Sequence, residues 1–209
     1  LQGFWPFGSG SEHSSWLVLG AQVLDADDEV VDEGCFAVPA SDIEIRDDWH
    51  VVGLRGTGSC SMVAKGVAVP TYRYISFVEG RRGVTPGADL HDGTLFRAPL
   101  SPALAIALCG PAVGIAEGAI RDFAAYVQER RNPQLRGASQ IDSPITHQVV
   151  AEAKGRVDAA RVLLHRAADD IHQAAEQGGD MPQEVRARIR MDSAYAVRLC
   201  MEAGEEVFL

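Results

Sequence analysis

Cysteine, basic side chains and long apolar runs are all scarce in this sequence, and each shortage excludes a class of function. The 209 residues include four cysteines, and none of them forms a CxxC pair: Cys35, Cys60, Cys109 and Cys200. This spacing excludes the common zinc motifs and predicts free thiols in a reducing compartment, the cytoplasm. The six histidines show no HExxH pattern, so we expect no metal site.

Positive charge is scarce as well: 19 lysines and arginines stand against 29 aspartates and glutamates, a formal net charge of −10. Nucleic acids bind to basic surfaces, so we expect no nucleic-acid partner. The longest uninterrupted apolar run, Ala103–Leu108, falls far short of the about 20 residues that cross a bilayer, so we expect no membrane partner. The chain does not begin with methionine, and we expect its natural start to lie further upstream.

Short apolar segments separated by glycine, proline and aspartate dominate the chain up to residue 97 and predict β structure. Trp16–Leu24 is expected to form a buried strand that ends in the acidic turn Asp25–Glu29. Further strands are predicted at Cys35–Pro39, Asp42–Ile45, Trp49–Leu54 and Ser61–Val69. Short strands at such spacing favour a sandwich or a barrel.

The apolar spacing changes to a helical period after Pro102. Helices are predicted over Ala103–Val127, over 144–177 and from Pro182 to about residue 207, with a polar loop at 132–143. Long helices joined in this way are expected to pack as an antiparallel bundle. The predicted fold class is therefore α+β, with a β domain at 1–97 and a helical bundle at 98–209.

Two stretches of the β part combine glycines, hydroxyls and aromatic rings. One is Trp5–Gly10, followed by His13; the other is Gly53–Ser59, which follows Trp49. Glycine lets the backbone approach a ligand closely, hydroxyls donate and accept hydrogen bonds, and indole offers a flat apolar face. This combination favours a planar heteroaromatic cofactor with polar edges.

The order of these motifs resembles the acyl-CoA dehydrogenase superfamily. Gly53–Ser59 followed by Val67–Pro70 is similar to its glycine–arginine–hydroxyl segment and the strand end after it, and Ala112–Ala119 is similar to its first bundle helix. Within the superfamily, Trp5–His13 resembles the two-component flavin-dependent monooxygenases that hydroxylate aromatic compounds such as hydroxyphenylacetate and steroid-derived phenols. That branch has an N-terminal helical domain and a C-terminal end with a further histidine, so the resemblance implies that this chain is incomplete.

The resemblance implies an acyl-CoA dehydrogenase-like fold, a homotetramer and a separate flavin reductase as partner. Reduced FMN or FAD would bind non-covalently, with O2 as the co-substrate. The reaction implied is hydroxylation of a phenolic ring by way of a flavin C4a-hydroperoxide, for which the site must exclude water. The β domain would bind the flavin, and the bundle would be truncated.

The resemblance also implies roles for individual residues. His13 would hold or deprotonate the phenol hydroxyl, since imidazole titrates near neutral pH, and Ser59 would steady the flavin hydroperoxide. Flavin contacts are expected from nine residues: Trp5, Phe7, Ser9, Gly10, Thr57, Gly58, Ser59, Arg131 and Gln148.

Other interpretations of the same residues remain. His13 could be a surface turn residue, Trp5 and Phe7 could be core aromatics, and Arg131 could simply complement a helix C-terminus. The chain could be an acyl-CoA dehydrogenase-like oxidoreductase, a relative that oxygenates nitrogen or sulfur, or a non-catalytic remnant that only oligomerises. Flavin binding discriminates the enzymes from the remnant.

Overall fold

The structure is a computed structural model that describes residues 1–131, 137 and 139–208, and it divides into two units, Leu1–Leu90 and His91–Leu209. The first unit contains the strands and the second contains the long helices, so the predicted α+β class is confirmed. Most of the predicted loop at 132–143 lies outside the described residues. The assignment of 1–97 as a flavin-binding domain and of 98–209 as a truncated bundle stays a prediction.

Six strands are found among the described residues, and they form two antiparallel three-stranded sheets. In chain order the strands are β1 (Gly3–Trp5), β2 (Trp16–Leu24), β3 (Val30–Pro39), β4 (Glu44–Arg46), β5 (Ser61–Ala64) and β6 (Tyr74–Ser76). One sheet has the order β1-β5-β4 and the other has the order β2-β3-β6. This arrangement places β1 directly beside β5, with Trp5 opposite Met62.

The alternating side chains of β2 bury one face of its sheet. Leu17 and Leu19 are buried with Val38, whereas Trp16 and Val18 point to solvent. The predicted strand is present but is buried on one face, because period-two alternation exposes every second residue.

The prediction of a strand at Trp49–Leu54 was also wrong. The indole N–H of Trp49 donates to the carbonyl oxygen of Leu54 at 3.1 Å, which closes this segment into a loop. Leu54 itself has a φ of 48°, a left-handed conformation that a strand does not contain. The predicted strand Ser61–Val69 is shorter than expected, because β5 ends at Ala64 before Gly66, whose φ is 70°.

Five α-helices occur among the described residues: α1 (Phe77–Gly80), α2 (Leu100–Ala107), α3 (Gly110–Glu129), α4 (Pro144–Gln177) and α5 (Gln183–Phe208). The helix predicted over Ala103–Val127 is two helices, because Pro111 lacks the N–H that would continue α2 and instead occupies the first turn of α3. The bounds of α4 and α5 agree closely with the prediction.

Alanines dominate the contact between the bundle helices. Ala153 and Ala160 on α4 and Ala196 and Ala203 on α5 have no exposed surface and share one core cluster with α3. Small side chains let helix axes approach closely, so the interior has little room for larger residues. This packing explains how a long helix with few bulky apolar side chains is held.

Within the part of the chain that the structure describes, one helical stretch, Leu100–Glu129, is by length and composition apolar enough to cross a membrane, and 17% of its most apolar part is buried. Counting uninterrupted apolar residues misses this stretch, because glycines and charged residues lie within it. A single stretch of this kind does not establish a membrane span.

Candidate functional site

The two glycine-rich motifs lie side by side in the first unit. The pairing of β1 with β5 brings the segment that follows β1 against the segment that precedes β5. The N–H of Gly8 donates to the carbonyl oxygen of Cys60 at 2.9 Å, and the hydroxyls of Ser9 and Ser59 hydrogen-bond at 3.0 Å. We call residues 5–13 and 48–61 the candidate site.

Gly8 is required because the two segments approach so closely. A Cβ atom at this position would lie 2.5 Å from the carbonyl oxygen of Cys60 and 2.9 Å from Cγ of Met62. The preceding residue, Phe7, has a φ of 59°, which is uncommon for a residue other than glycine. The tight turn therefore holds the backbone of both motifs in contact.

Replacing Gly8 by alanine is expected to lower the free energy of unfolding by about 1–3 kcal/mol, because the methyl group collides with backbone that cannot move aside. Gly56→Ala is the matched control: it lies in the second motif, at an ordinary φ, and has open space around its Cβ position. Chemical denaturation of both variants checks the prediction. Equal stability of the two variants would contradict it.

Aromatic and aliphatic side chains form an exposed apolar edge at the site. Phe7 is 70% exposed and its ring meets that of Trp49 edge to face, with centroids 5.9 Å apart. Val52 and Leu54 are exposed on the loop that Trp49 closes. An exposed apolar cluster beside paired hydroxyls suits a flat ligand with a polar rim.

Trp5 differs from Phe7 in its surroundings. Its indole N–H donates to the carbonyl oxygen of Gly20 on β2 at 2.6 Å, and its ring packs on the core cluster that contains Leu17. These contacts give Trp5 a structural role, and its predicted contact with flavin stays a prediction.

The hydroxyl groups of the site differ in how they are used. Ser59 is buried and paired with Ser9, whereas the hydroxyl of Thr57 donates to the carbonyl oxygen of Leu54 at 2.8 Å. The hydroxyl of Ser11 is buried without a hydrogen-bond partner. The Ser9–Ser59 pair keeps donor and acceptor capacity, since each hydroxyl has one donor and two acceptor positions.

Two carboxylates support the site, and sequence patterns pointed to neither. Asp48 accepts the backbone N–H of Ser61 at 2.8 Å, and hydrogen bonding by Ser61 lowers the pKa of Asp48. Glu12 contacts Gly58 and accepts a weak hydrogen bond from the Cys60 thiol at 3.8 Å. Their partners lie 13 and 48 positions away in the chain, beyond the reach of local spacing.

His13 ends the short 3-10 helix Ser11–His13, which follows Gly10 with its φ of 80°. Its backbone N–H donates to the carbonyl oxygen of Gly10 at 3.1 Å, and its side chain is exposed. The imidazole is therefore held by its backbone close to the motif and remains open to a ligand.

The two predicted flavin contacts outside the β part, Arg131 and Gln148, belong to the second unit. Arg131 is exposed and its backbone forms a bridge to Ser139. Gln148 lies on α4 and donates to the carboxylate of Glu152 at 2.8 Å. The contacts of the candidate site in the first unit do not involve them, and their roles stay predictions.

The acyl-CoA dehydrogenase, C-terminal domain family matches residues 106–209. Over 209 residues the chain is 32% identical to the flavin-dependent monooxygenase oxygenase subunit HsaA of Mycobacterium tuberculosis, and it covers 52% of that protein. It is 33% identical to the oxygenase component of the FADH2-dependent resorcinol hydroxylase of a Rhizobium species, covering 97% of this chain and 52% of the relative.

A solved structure agrees with these sequence relatives. XiaF from a Streptomyces species, in complex with FADH2 and glycerol, matches with a TM-score of 0.83 and 31% identity over 100% of this chain and 52% of that one. The chain thus spans about half the length of the relatives it matches. By sequence and by fold, the chain belongs to the acyl-CoA dehydrogenase superfamily, and HsaA and resorcinol hydroxylase, which it resembles, are named as oxygenase components of that superfamily's flavin-dependent relatives.

Proposed function

We propose that the protein is the oxygenase component of a two-component flavin-dependent monooxygenase that hydroxylates a phenolic substrate. The observation that carries this proposal is the junction of the two motifs, where paired hydroxyls lie beside an exposed aromatic edge. Relatives that match the chain along its whole length, among them HsaA and resorcinol hydroxylase, are named as oxygenases of this kind.

The residues of the candidate site fit a flavin. An isoalloxazine ring needs a flat apolar contact, which Phe7 and Trp49 offer, and hydrogen bonds at its polar edge, which Ser9 and Ser59 offer. Gly10 has no side chain that would obstruct its approach, whereas the carboxylate of Glu12 lies against Gly58. Reduced FAD is the favoured flavin, because the resorcinol hydroxylase is named as FADH2-dependent and the XiaF structure contains FADH2.

The protein contributes positioning, shielding and proton handling. Reduced flavin, when bound, supplies the electrons with which O2 is activated. The Ser9–Ser59 pair would hold the polar edge of a bound isoalloxazine ring, and the exposed apolar side chains of Phe7 and Leu54 would cover part of it against water. His13 holds the hydroxyl of the phenol substrate and accepts its proton as the phenol ring becomes the nucleophile.

The proposal includes a separate flavin reductase, a cytoplasmic location and a homotetramer in which Arg131 and Gln148 take part in flavin binding. A reductase is needed because the oxygenase uses flavin that is already reduced.

Turnover in labelled oxygen tests the proposed function. The protein is mixed with chemically reduced FAD or FMN, a panel of phenols that includes resorcinol, and 18O2, and the products are analysed by mass spectrometry. Incorporation of one 18O atom into the ring is the expected result. Binding of oxidised flavin that bleaches with an acyl-CoA would contradict the proposal in favour of a dehydrogenase, and failure to bind either flavin would contradict any flavoenzyme role.

A further inference from the structure

Glu12 joins the two motifs through its side chain. It belongs to the 3-10 helix Ser11–His13, immediately before His13. Its carboxylate reaches the second motif, where Oε1 accepts from the thiol of Cys60 at 3.8 Å and Oε2 lies against Gly58. A charged side chain therefore spans from the segment of the proposed proton acceptor to the turn that precedes Ser59.

The carboxylate of Glu12 lies so close to Gly58 that it leaves no room for a side chain at position 58. A Cβ atom on Gly58 would lie 2.0 Å from Oε2 of Glu12. Gly58 also has a φ of 57°, in the left-handed region that favours glycine. Because Oε2 is the far end of a flexible side chain, a residue with a Cβ at position 58 would displace Glu12 rather than the backbone.

We infer that Glu12 is a positioning residue of the candidate site. Its carboxylate supports the left-handed turn at Gly58 and so keeps Ser59 paired with Ser9 and keeps His13 at a fixed distance from that pair. Three contacts then clamp the two motifs: the Gly8–Cys60 backbone hydrogen bond, the Ser9–Ser59 pair and the Glu12 carboxylate. This inference rests on the proposed function, since it assigns Glu12 to the flavin and substrate site.

A positioning residue matters because sites that orient a reacting molecule tolerate very little displacement of their groups. Groups that orient a reacting molecule must be held to a fraction of an ångström, and residues that lock them by packing or hydrogen bonding are part of the device. After loss of the Glu12 contact, the segment around Ser59 is held by the Ser9–Ser59 pair, by the Gly8–Cys60 hydrogen bond and by the hydrogen bond from the N–H of Ser61 to Asp48. The expected consequence is loss of coupling between flavin oxidation and product formation, with flavin binding largely retained.

A double-mutant cycle on the flavin-free protein tests the contact itself. Glu12→Ala, Gly58→Ala and the double variant are compared with the unaltered protein by their thermal midpoints. Because alanine at position 58 displaces Glu12, the loss in the double variant is expected to be smaller than the sum of the two single losses. If the losses in thermal midpoint are additive, Glu12 and Gly58 do not interact.

Coupling of the reaction tests the positioning role. The peroxide released per product formed is measured with reduced FAD and a phenol substrate, together with the dissociation constant for the flavin. Glu12→Ala is expected to raise the peroxide-to-product ratio about twofold to fivefold, the effect of losing one weak hydrogen bond. Glu12→Gln keeps the shape and the acceptor oxygen, so it is expected to restore a near-normal ratio.

The controls separate this inference from others. Glu29→Ala removes an exposed glutamate from the β2–β3 turn and is expected to leave the ratio unchanged. If Glu12→Ala lowers only the thermal midpoint, or if Glu12→Gln is as uncoupled as Glu12→Ala, the positioning role is overturned. Absence of hydroxylation in the unaltered protein overturns the proposed function instead, so the two failures are distinguishable.

Discussion

Replacing His13 by alanine is expected to lower the rate of phenol hydroxylation on the order of a hundredfold, while the dissociation constant for reduced flavin changes by less than about twofold. The imidazole is exposed at the end of the 3-10 helix and is the proposed acceptor of the substrate proton. Its removal leaves the Ser9–Ser59 pair and the Phe7–Trp49 edge intact, so the flavin contacts persist.

The control for this variant is His165→Ala. His165 is an exposed histidine on α4, outside the candidate site, and it has no proposed role in the reaction. Hydroxylation by the His165 variant is expected to equal that of the unaltered protein. Equal rates for the His13 variant and the unaltered protein in a single-turnover assay would remove His13 from the mechanism.

Replacing Asp192 by alanine is expected to lower the free energy of unfolding by about 2–3 kcal/mol. The Asp192 side chain has no exposed surface and receives two hydrogen bonds from Arg166 on α4, at 2.9 Å and 2.6 Å. These hydrogen bonds raise the pKa of Arg166. Because Arg166 is half exposed, its guanidinium can return to water, and the loss stays below that of a fully buried pair.

Arg198→Ala is the control on the same helix. Arg198 pairs with Glu202 four residues later at 2.8 Å, but its side chain is 71% exposed. Exposed pairs of this kind contribute less than about 1 kcal/mol, so chemical denaturation should separate the two variants clearly. If Asp192→Ala lowers the free energy of unfolding no more than Arg198→Ala does, the buried pair does not hold α4 and α5 together.

The elements that sequence predicted best are those whose limits are marked by local residues. Helix α4 begins at Pro144, after Ser143, and ends before Gly178 and Gly179, both at positive φ, so its bounds follow from its flanks. The same argument located α5 after Pro182. The strand prediction was wrong for Trp49–Leu54, because its apolar composition indicates a strand whereas the hydrogen bond from the Trp49 indole closes it into a loop.

The candidate site was predictable in its residue types and not in its contacts. Glycines, hydroxyls and aromatic rings indicated a planar cofactor, and the resemblance to a family indicated which residues to consider. The pairing of Ser9 with Ser59 spans 50 positions and that of Glu12 with Cys60 spans 48, and no local period encodes either. Contacts of this kind follow from strand register, which the pairing of β1 with β5 sets.

A crystal structure of the protein, grown anaerobically with reduced FAD, tests the assignment of the site. The isoalloxazine ring is expected to lie against Phe7 and Trp49, with its polar edge within hydrogen-bond distance of Ser9 or Ser59. A flavin bound to the protein but out of contact with both motifs would contradict the assignment of the site.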